Sequence, residues 1–210
     1  MQFDYKDFKC WTLKDYCKFP SKGYQYSKEP TKPIKSWDSW KRPPTLAVSP
    51  RANNITILDL DFIRPCYKDK HKSHPVYKYI EKGIHKQTFA VKTPSGGLHL
   101  YFKWVPELTH TNNKEFQIDI REPSVNGYVV APDSVVTKID TRDPNISKVC
   151  IGKYRIINNV EPIHMPIEMV NLLVNILYTK TERESKDRVY NDRRYIDGAM
   201  KYDFSDVDVK

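Results

Sequence analysis

The sequence predicts an α/β (α+β) fold in which a mixed β-sheet is flanked by helices and two modules pack together. Three observations support this class. The apolar, β-branched run ITILDLDFI at 55–63 is typical of a buried strand. A Gly-Gly turn at 96–97 joins two further strand patterns, which indicates a hairpin. The segment PIEMVNLLVNILYT at 166–179 has the spacing of an amphipathic helix that would close the core.

The predicted elements follow one another along the central part of the chain. A helix is expected from Pro75 onward, because apolar residues recur at helical spacing up to position 84. A second helix is expected at 166–179, with Pro166 in its first turn. Strands are predicted at 45–49, 55–62, 88–93, 98–104, 116–121, 127–131 and 149–158.

Composition shifts divide the chain into three parts. Residues 1–44 are basic and rich in proline, which predicts an N-terminal arm that packs on the core, with a short helix near 12–18. In this arm Trp37 and Trp40 are expected to pack on the core. Residues 45–179 form the predicted globular domain, since a chain of 210 residues can bury one good core or two small lobes. Residues 180–210 are dense in mixed charge, which predicts a solvated helix or linker.

Charge and cysteine usage narrow the function classes. The formal net charge of +9 favours a polyanionic partner, and nucleic acid fits better than a membrane because no run approaches about 18–20 apolar residues. The four cysteines form no C-x-x-C pair, which indicates reduced thiols. The N-terminus has no apolar signal segment, so we expect an intracellular location, cytoplasmic or nuclear. Abundant Lys, Asn, Ile and Tyr beside 7 Gly suit a virus or mobile element.

Three acids interrupt strands that would otherwise be apolar. In the predicted strand 55–62, Asp59 and Asp61 point to the same face because side chains alternate. Asp119 stands between Ile118 and Ile120. Two buried carboxylates one pleat apart repel each other, and a divalent cation such as Mg²⁺ or Mn²⁺ removes this penalty. The acids therefore predict a metal site.

The hairpin turn supplies a second chemical feature. Ser95, Gly96 and Gly97 precede an apolar strand that carries His99, and such a turn exposes backbone N–H groups to an anion. Lys92 is a lesser candidate for the same anion. Metal-binding acids beside a phosphate-binding turn indicate nucleotidyl transfer.

The order of these motifs resembles a known family. DLD is followed by SGGLH, then by an apolar-Asp-apolar-Arg strand and by GYVVAPDS. This order is similar to the primase/polymerase (prim-pol) branch of the archaeo-eukaryotic primase superfamily, over about residues 45–135. The resemblance implies a two-module catalytic core with an RRM-like sheet, and DNA primase or DNA polymerase activity on a single-stranded template.

The resemblance also implies roles for particular residues. Asp59, Asp61 and Asp119 would hold two ions, Mg²⁺ or Mn²⁺, and would be catalytic. Ser95, Gly96, Gly97 and His99 would seat a nucleoside triphosphate, and Arg121 would either hold the triphosphate or brace Asp119. Candidate template contacts come from a basic loop and from the arm: Lys68, Lys70, Lys72, Lys41 and Arg42. Relatives often carry a helicase on the same polypeptide, which makes a helicase a candidate partner in cis or in trans.

Other interpretations use the same residues. A catalytically silent replication module could bind single-stranded DNA on the basic surface, and a metal-dependent nuclease could use the same acids. The intact acids argue against the first, and the Ser-Gly-Gly turn argues against the second. Cys66, His71, His74 and His85 fit no standard zinc spacing, so we expect a basic, DNA-facing loop there and no zinc.

Overall fold

The computed structural model describes residues 3–13, 31–39, 45–66, 71–125, 127–139 and 149–178. The chain divides into two compact units, 1–172 and 173–210, and the description of the second covers only 173–178. The described strands, in chain order, are β1 (Lys9–Thr12), β2 (Lys32–Pro33), β3 (Leu46–Val48), β4 (Ile55–Leu60), β5 (Ala90–Lys92), β6 (Leu98–Lys103), β7 (Thr111–Asn113), β8 (Ile118–Arg121), β9 (Val129–Val130), β10 (Val135–Ile139), β11 (Val149–Lys153) and β12 (Arg155–Asn158).

A six-stranded sheet in the first unit carries the candidate site. Its order is β12-β5-β6-β4-β8-β7, and each neighbouring pair is antiparallel. Strand β4 lies inside this sheet because its residues are mostly apolar on both faces, apart from Thr56 and the acid at position 59. One isolated parallel bridge joins Phe102 to Ile163. The fold is thus α+β with largely antiparallel sheets, in agreement with the predicted class.

A second sheet is built partly from the N-terminal segment. Its order is β2-β1-β3-β9, and β10 and β11 form a separate two-stranded hairpin. Trp11 in β1 is buried, as are Phe8 and Leu13 on either side of that strand. Trp37 packs against the same core, as predicted. The described part of residues 1–44 therefore lies within the fold, whereas Trp40, Lys41, Arg42 and most of the predicted helix near 12–18 lie outside the described residues.

Three α-helices are described: α1 (Pro50–Asn53), α2 (Tyr77–Glu81) and α3 (Ile167–Tyr178). Helix α1 begins where the hydroxyl of Ser49 accepts a hydrogen bond from the N–H of Ala52, and it ends at Asn54 in the left-handed region, which turns the chain into β4. Helix α3 follows Pro166, as predicted from the first-turn proline.

An aromatic cluster anchors the six-stranded sheet on the face that carries the acids. The ring centroid of Phe89 lies 5.0 Å from that of Tyr101 and 5.3 Å from that of Phe8. Tyr101 is fully buried, so the structure places this ring in the core rather than beneath a substrate base. Tyr101 lies two residues beyond His99 in β6, and His99 is paired with Asp59. Asp59 therefore lies next to the aromatic cluster, at one end of this core.

Some predicted strands differ from the observed ones. The strand predicted at 55–62 ends at Leu60, because a 3-10 turn begins at Asp61 and the N–H of Arg64 bonds to the carbonyl of Asp61. The strand predicted at 116–121 begins only at Ile118, after the left-handed Gln117 (φ 51°). The strand predicted at 149–158 is divided into β11 and β12 at Tyr154, whose N–H bonds to Ser134.

Candidate active site

The register of three strands brings two acids and a histidine into one row. Asp59 in the middle strand β4 is directly opposite His99 in β6 and Asp119 in β8. Directly paired residues point to the same face of a sheet, so the three side chains are neighbours. Asn112 of β7 continues this row beyond Asp119. We call His99, Asp59 and Asp119 the acid row.

Asp61 lies one residue beyond β4 and faces the Gly-Gly turn. Its carboxylate forms an ion pair with the guanidinium of Arg64, three residues later in the same 3-10 turn. A Cβ at position 97 would lie 3.1 Å from Oδ1 of Asp61, so the absence of a side chain at Gly97 allows this approach. Asp61 therefore links the metal-binding candidates to the phosphate-binding candidates, although it lies outside the strand.

Asp119 has a raised pKa. Burial and, to a smaller extent, the neighbouring carboxylates of Asp59 and Asp61 raise its pKa to about 6, although Arg121 opposes the rise. Nη2 of Arg121 lies 2.7 Å from Oδ2 of Asp119. Of the two roles expected for Arg121, the structure shows the bracing contact to the acid.

His99 is buried beside Asp59. Its Nε2 lies 3.6 Å from Oδ1 of Asp59, and only 3% of the residue is exposed. The ring of Tyr154 packs against it, with centroids 5.4 Å apart. Burial, followed by the negative charges of Asp59 and Asp61, raises the pKa of the Tyr154 phenol well above its ordinary value. His99 is therefore held in place by an acid on one side and an aromatic ring on another.

The turn between β5 and β6 is closed by its own backbone. The N–H of Gly96 donates to the carbonyl of Thr93 over 2.9 Å, and the N–H of Thr93 donates to the carbonyl of Gly97 over 2.9 Å. The hydroxyls of Thr93 and Ser95 are 3.1 Å apart. Gly96 has a φ of +91°, which favours glycine, and Pro65 packs against it. The turn is therefore fixed against the segment that follows Asp61.

The lysines predicted to bind phosphate or template, and Arg42, are not observed next to the acid row. Lys92 is exposed and pairs with Leu98, so its side chain lies on the face opposite His99. Lys72 is exposed in the segment before α2. Four further candidates lie outside the described residues: Lys41, Arg42, Lys68 and Lys70.

The histidines weighed as zinc ligands have other contacts. Nε2 of His71 lies 2.9 Å from the carbonyl of Arg64, and Nε2 of His74 lies 3.0 Å from the carbonyl of Phe116. His74 also stacks on Phe62, with ring centroids 3.7 Å apart. His71 therefore closes the segment after Asp61 on itself, and His74 connects that segment to Phe116, two residues before β8.

Three residues of the site were not identified from the sequence: Arg64, Tyr154 and His110. Arg64 had a local signal, since an arginine three residues after an acid in a helical turn is a common ion pair. Tyr154 and His110 had no such local signal. Tyr154 contacts His99, 55 positions away, and His110 contacts Arg121, 11 positions away, through the pairing of the strands. His110 contacts Arg121, with Nε2 and Nη1 2.9 Å apart.

The donor set fits a hard divalent cation. Among the described residues, no group of three or more His, Cys, Asp and Glu is already arranged around a metal position. Arg64 and Arg121 instead pair with Asp61 and Asp119. Burial raises the pKa of Asp119, and the charges of the nearby carboxylates of Asp59 and Asp61 raise it in the same direction. Carboxylate oxygens that crowd together in this way are typical ligands of Mg²⁺ or Mn²⁺.

A comparison with models of protein families shows to which family the chain belongs. The family described as "Bifunctional DNA primase/polymerase, N-terminal" matches residues 8–166, which is most of the chain. The chain belongs to this family. No curated protein matches the sequence significantly.

Membership in the primase/polymerase family agrees with the α+β fold and the antiparallel sheets. It implies a DNA template and nucleotide substrates, and enzymes of the family generally use divalent metal ions. The matched region begins at residue 8, close to β1, so the family pattern includes much of the N-terminal segment. Within the described residues, no helix has both the length and the apolar character needed to cross a membrane.

Proposed function

We propose that this primase/polymerase domain is a DNA-dependent nucleotidyltransferase that joins nucleotides on a single-stranded template with two divalent metal ions, Mg²⁺ or Mn²⁺. The observation that supports this most strongly is the register of β4 between β6 and β8. It places Asp59 directly between His99 and Asp119, with Asp61 one residue beyond the strand and beside the Gly-Gly turn.

The three acids would hold the ions. When bound, two divalent ions activate a 3′-hydroxyl and neutralise charge on the triphosphate and its leaving pyrophosphate. Asp59 and Asp119 lie on adjacent strands, so the sheet fixes their spacing before any ion arrives. Asp61 is on a 3-10 turn that Arg64 and Gln117 hold in place.

The turn would seat the incoming nucleotide. Ser95 and Gly97 would present N–H and hydroxyl groups to the phosphates, and His99 would donate to a phosphate oxygen from the floor of the site. Gly96 would shape this seat, since its own N–H is bonded to the carbonyl of Thr93. In the structure, Arg64 forms an ion pair with Asp61 and Arg121 forms one with Asp119. With ions bound to those acids, the two guanidinium groups would be available to the triphosphate, whose charge they suit.

The template would lie along exposed lysines. Lys78 and Lys82 in and after α2, together with Lys72 and Lys86, are exposed and would supply this positive charge. Lys68, Lys70, Lys41 and Arg42 are further candidates from the sequence. Contacts of this kind are made to the phosphate backbone and carry no sequence information.

The wider context is also a proposal. The composition suits replication of a virus or mobile element, in the cytoplasm or nucleus of a host cell. A replicative helicase, on the same polypeptide or in trans, would supply the single strand. Zinc is not expected to contribute, because His71 and His74 already bond to backbone carbonyls.

The test is incubation of the protein with a single-stranded template, labelled nucleotides and Mg²⁺ or Mn²⁺, with and without a primer. Products longer than the primer, or new products without one, are expected only when a divalent ion is present. Shortening of the template would instead identify a metal nuclease. Template binding without any synthesis would identify a catalytically silent DNA-binding module.

A further inference from the structure

A histidine outside the family motifs contacts Arg121, the arginine that pairs with Asp119 of the acid row. Nη1 of Arg121 lies 2.9 Å from Nε2 of His110, while Nη2 of the same guanidinium lies 2.7 Å from Oδ2 of Asp119. The pairing of β7 with β8 places Thr111 opposite Ile120, so the next antiparallel pair along these strands is His110 and Arg121. Arg121 is therefore held from two sides.

The chemistry of this contact fixes the state of the histidine. A guanidinium only donates hydrogen bonds, so Nε2 of His110 must accept, and the ring is then neutral with its proton on Nδ1. Burial lowers the pKa of His110, and the positive charge of Arg121 lowers it further, which favours the same neutral form.

The backbone of His110 is fixed by a hydrogen bond, and its ring is closely packed. The backbone N–H of His110 donates to Oε1 of Glu122 over 3.2 Å, and Glu122 is itself buried. A Cβ at position 127 would lie 3.0 Å from Cε1 of His110 and 3.3 Å from Cδ of Arg121, so Gly127 allows the backbone to cover both side chains. The pair is thus packed beneath a close backbone segment.

We propose that His110 is a positioning residue for the incoming nucleotide, because it keeps the guanidinium of Arg121 at the acid row when a divalent ion takes over Asp119. The proposal rests on the proposed function. An ion bound by Asp119 would weaken the contact of Arg121 with Asp119 but not its contact with His110. Without His110 the long arginine side chain would have several rotamers available and would lose its fixed position toward the triphosphate.

The test is a double-mutant cycle with four proteins: wild type, His110→Leu, Arg121→Leu and the double variant. Two readouts are used, which are steady-state synthesis and equilibrium binding of a deoxynucleoside triphosphate with Mg²⁺. His110→Leu is expected to raise the nucleotide KM and Kd by about tenfold, the scale for a hydrogen bond to a charged group, with a smaller change in kcat. In the Arg121→Leu background, His110→Leu should change neither value further.

Two variants separate positioning from mere structure. His110→Gln retains an acceptor that can reach Arg121 and should restore most of the nucleotide affinity. His110→Asn is polar but shorter, so it should behave like His110→Leu, and it replaces that variant if the leucine protein does not fold. Melting temperatures of all proteins identify losses that come from unfolding.

Additive effects in the cycle would overturn the proposal, as would equal losses in His110→Gln and His110→Asn. A wild-type protein that binds no nucleotide would also overturn it. If the wild type binds nucleotide but synthesises nothing, the proposed function fails while the binding cycle still decides the role of His110. If the wild type synthesises DNA and the cycle is additive, only the role of His110 fails.

Discussion

Each acid of the candidate site has a basic side chain beside it. His99 is near Asp59, Arg64 pairs with Asp61, and Arg121 pairs with Asp119. Half-buried carboxylates without such partners would repel one another and would favour protonation. The basic residues therefore let the site fold before ions bind, and the positive charges of Arg64 and Arg121 suit a triphosphate afterwards.

The proposed role of His99 predicts how its removal affects nucleotide binding. His99→Ala should weaken nucleotide binding by about 1–3 kcal/mol, because a hydrogen bond to a charged phosphate would be lost. DNA affinity should hardly change, since the proposed template contacts lie elsewhere. Nucleotide and DNA are titrated separately, with His85→Ala as the control, because His85 lies in a 3-10 turn away from the acid row. Equal loss of both affinities would mean that His99 is a structural residue.

The turn between β5 and β6 requires a glycine at position 96, and this requirement can be tested by comparing Gly96 with Gly83. Gly96 and Gly83 both have positive φ, of 91° and 81°. A Cβ at Gly96 would lie 2.6 Å from Cδ of Pro65, whereas one at Gly83 would meet only Cδ of Lys86 at 3.8 Å. Gly83→Ala therefore measures the backbone strain alone.

Gly83→Ala should cost about 1 kcal/mol in the free energy of unfolding. Gly96→Ala should cost more, because Pro65 must also move, and it should reduce nucleotide affinity as the turn shifts away from Asp61. Urea unfolding and nucleotide titration are the measurements. Equal losses of stability in the two variants, with nucleotide affinity intact, would show that the turn does not depend on the contact with Pro65.

The segment after Asp61 has a pH dependence that comes from His74. Burial lowers the pKa of His74 below its ordinary 6.5, although the bond to Phe116 opposes this. As the pH falls below about 6.5, the unfolded chain takes up this proton first, so the free energy of unfolding should decrease with falling pH until the folded pKa is reached. His85 and His110 have pKa values shifted in the same direction and add to this slope.

His74→Phe retains the stacking on Phe62 but cannot titrate. It should be less stable than the wild type at neutral pH, because two hydrogen bonds of the ring are lost. Its stability should decrease less steeply as the pH falls below about 6.5. The measurement is denaturant unfolding at several pH values. Parallel stability curves for the two proteins would show that His74 does not titrate in this range.

The sequence predicted the elements that have a strong apolar pattern. Strands β4 and β6 were recognised because apolar residues occupy both faces, β8 because isoleucine alternates with polar residues, and α3 because of its helical spacing and Pro166. Strand β7 was missed because TNN has no apolar residue and is strand only through its partner β8. The end of β4 was misplaced because the apolar pattern continues through Phe62 and Ile63, where the chain forms a 3-10 turn.

For the whole molecule, net charge predicts how the template binds. A formal charge of +9 and exposed Lys78 and Lys82 indicate electrostatic, sequence-independent binding of single strands. Affinity should decrease steeply with salt, and each phosphate contact removed should lower the slope of log K against log salt by about 0.7. Lys78→Gln and Lys82→Gln should lower this slope. Lys35→Gln is the control, since Lys35 pairs with Asp7.

Binding measured by fluorescence anisotropy at several salt concentrations gives these slopes. A salt-insensitive affinity, or a strong preference for one template sequence, would argue against electrostatic binding. A slope that changes equally in the Lys35→Gln protein would show that total charge matters and that the position of the lysines does not.

The candidate site could be predicted only in part from the sequence. The residue types and the order of the motifs pointed to Asp59, Asp119 and His99 as one site, but their direct alignment depends on strand register, which no local pattern shows. The partners of these residues, such as Arg64 and His110, depend on the same long-range pairing. Lys92 was assigned to the site by its distance along the chain, and the pleat places it on the other face.

The most direct test of the proposed function compares template-directed synthesis by the wild type, Asp59→Asn and Asp7→Asn. Asp59 lies in the acid row, whereas Asp7 is an exposed acid paired with Lys35. We expect divalent-ion-dependent synthesis by the wild type and Asp7→Asn, and none by Asp59→Asn, which should melt at or above the wild-type temperature because a repelling charge is removed. Synthesis by Asp59→Asn near the wild-type rate would contradict the assignment of the acid row as the metal-binding catalytic site.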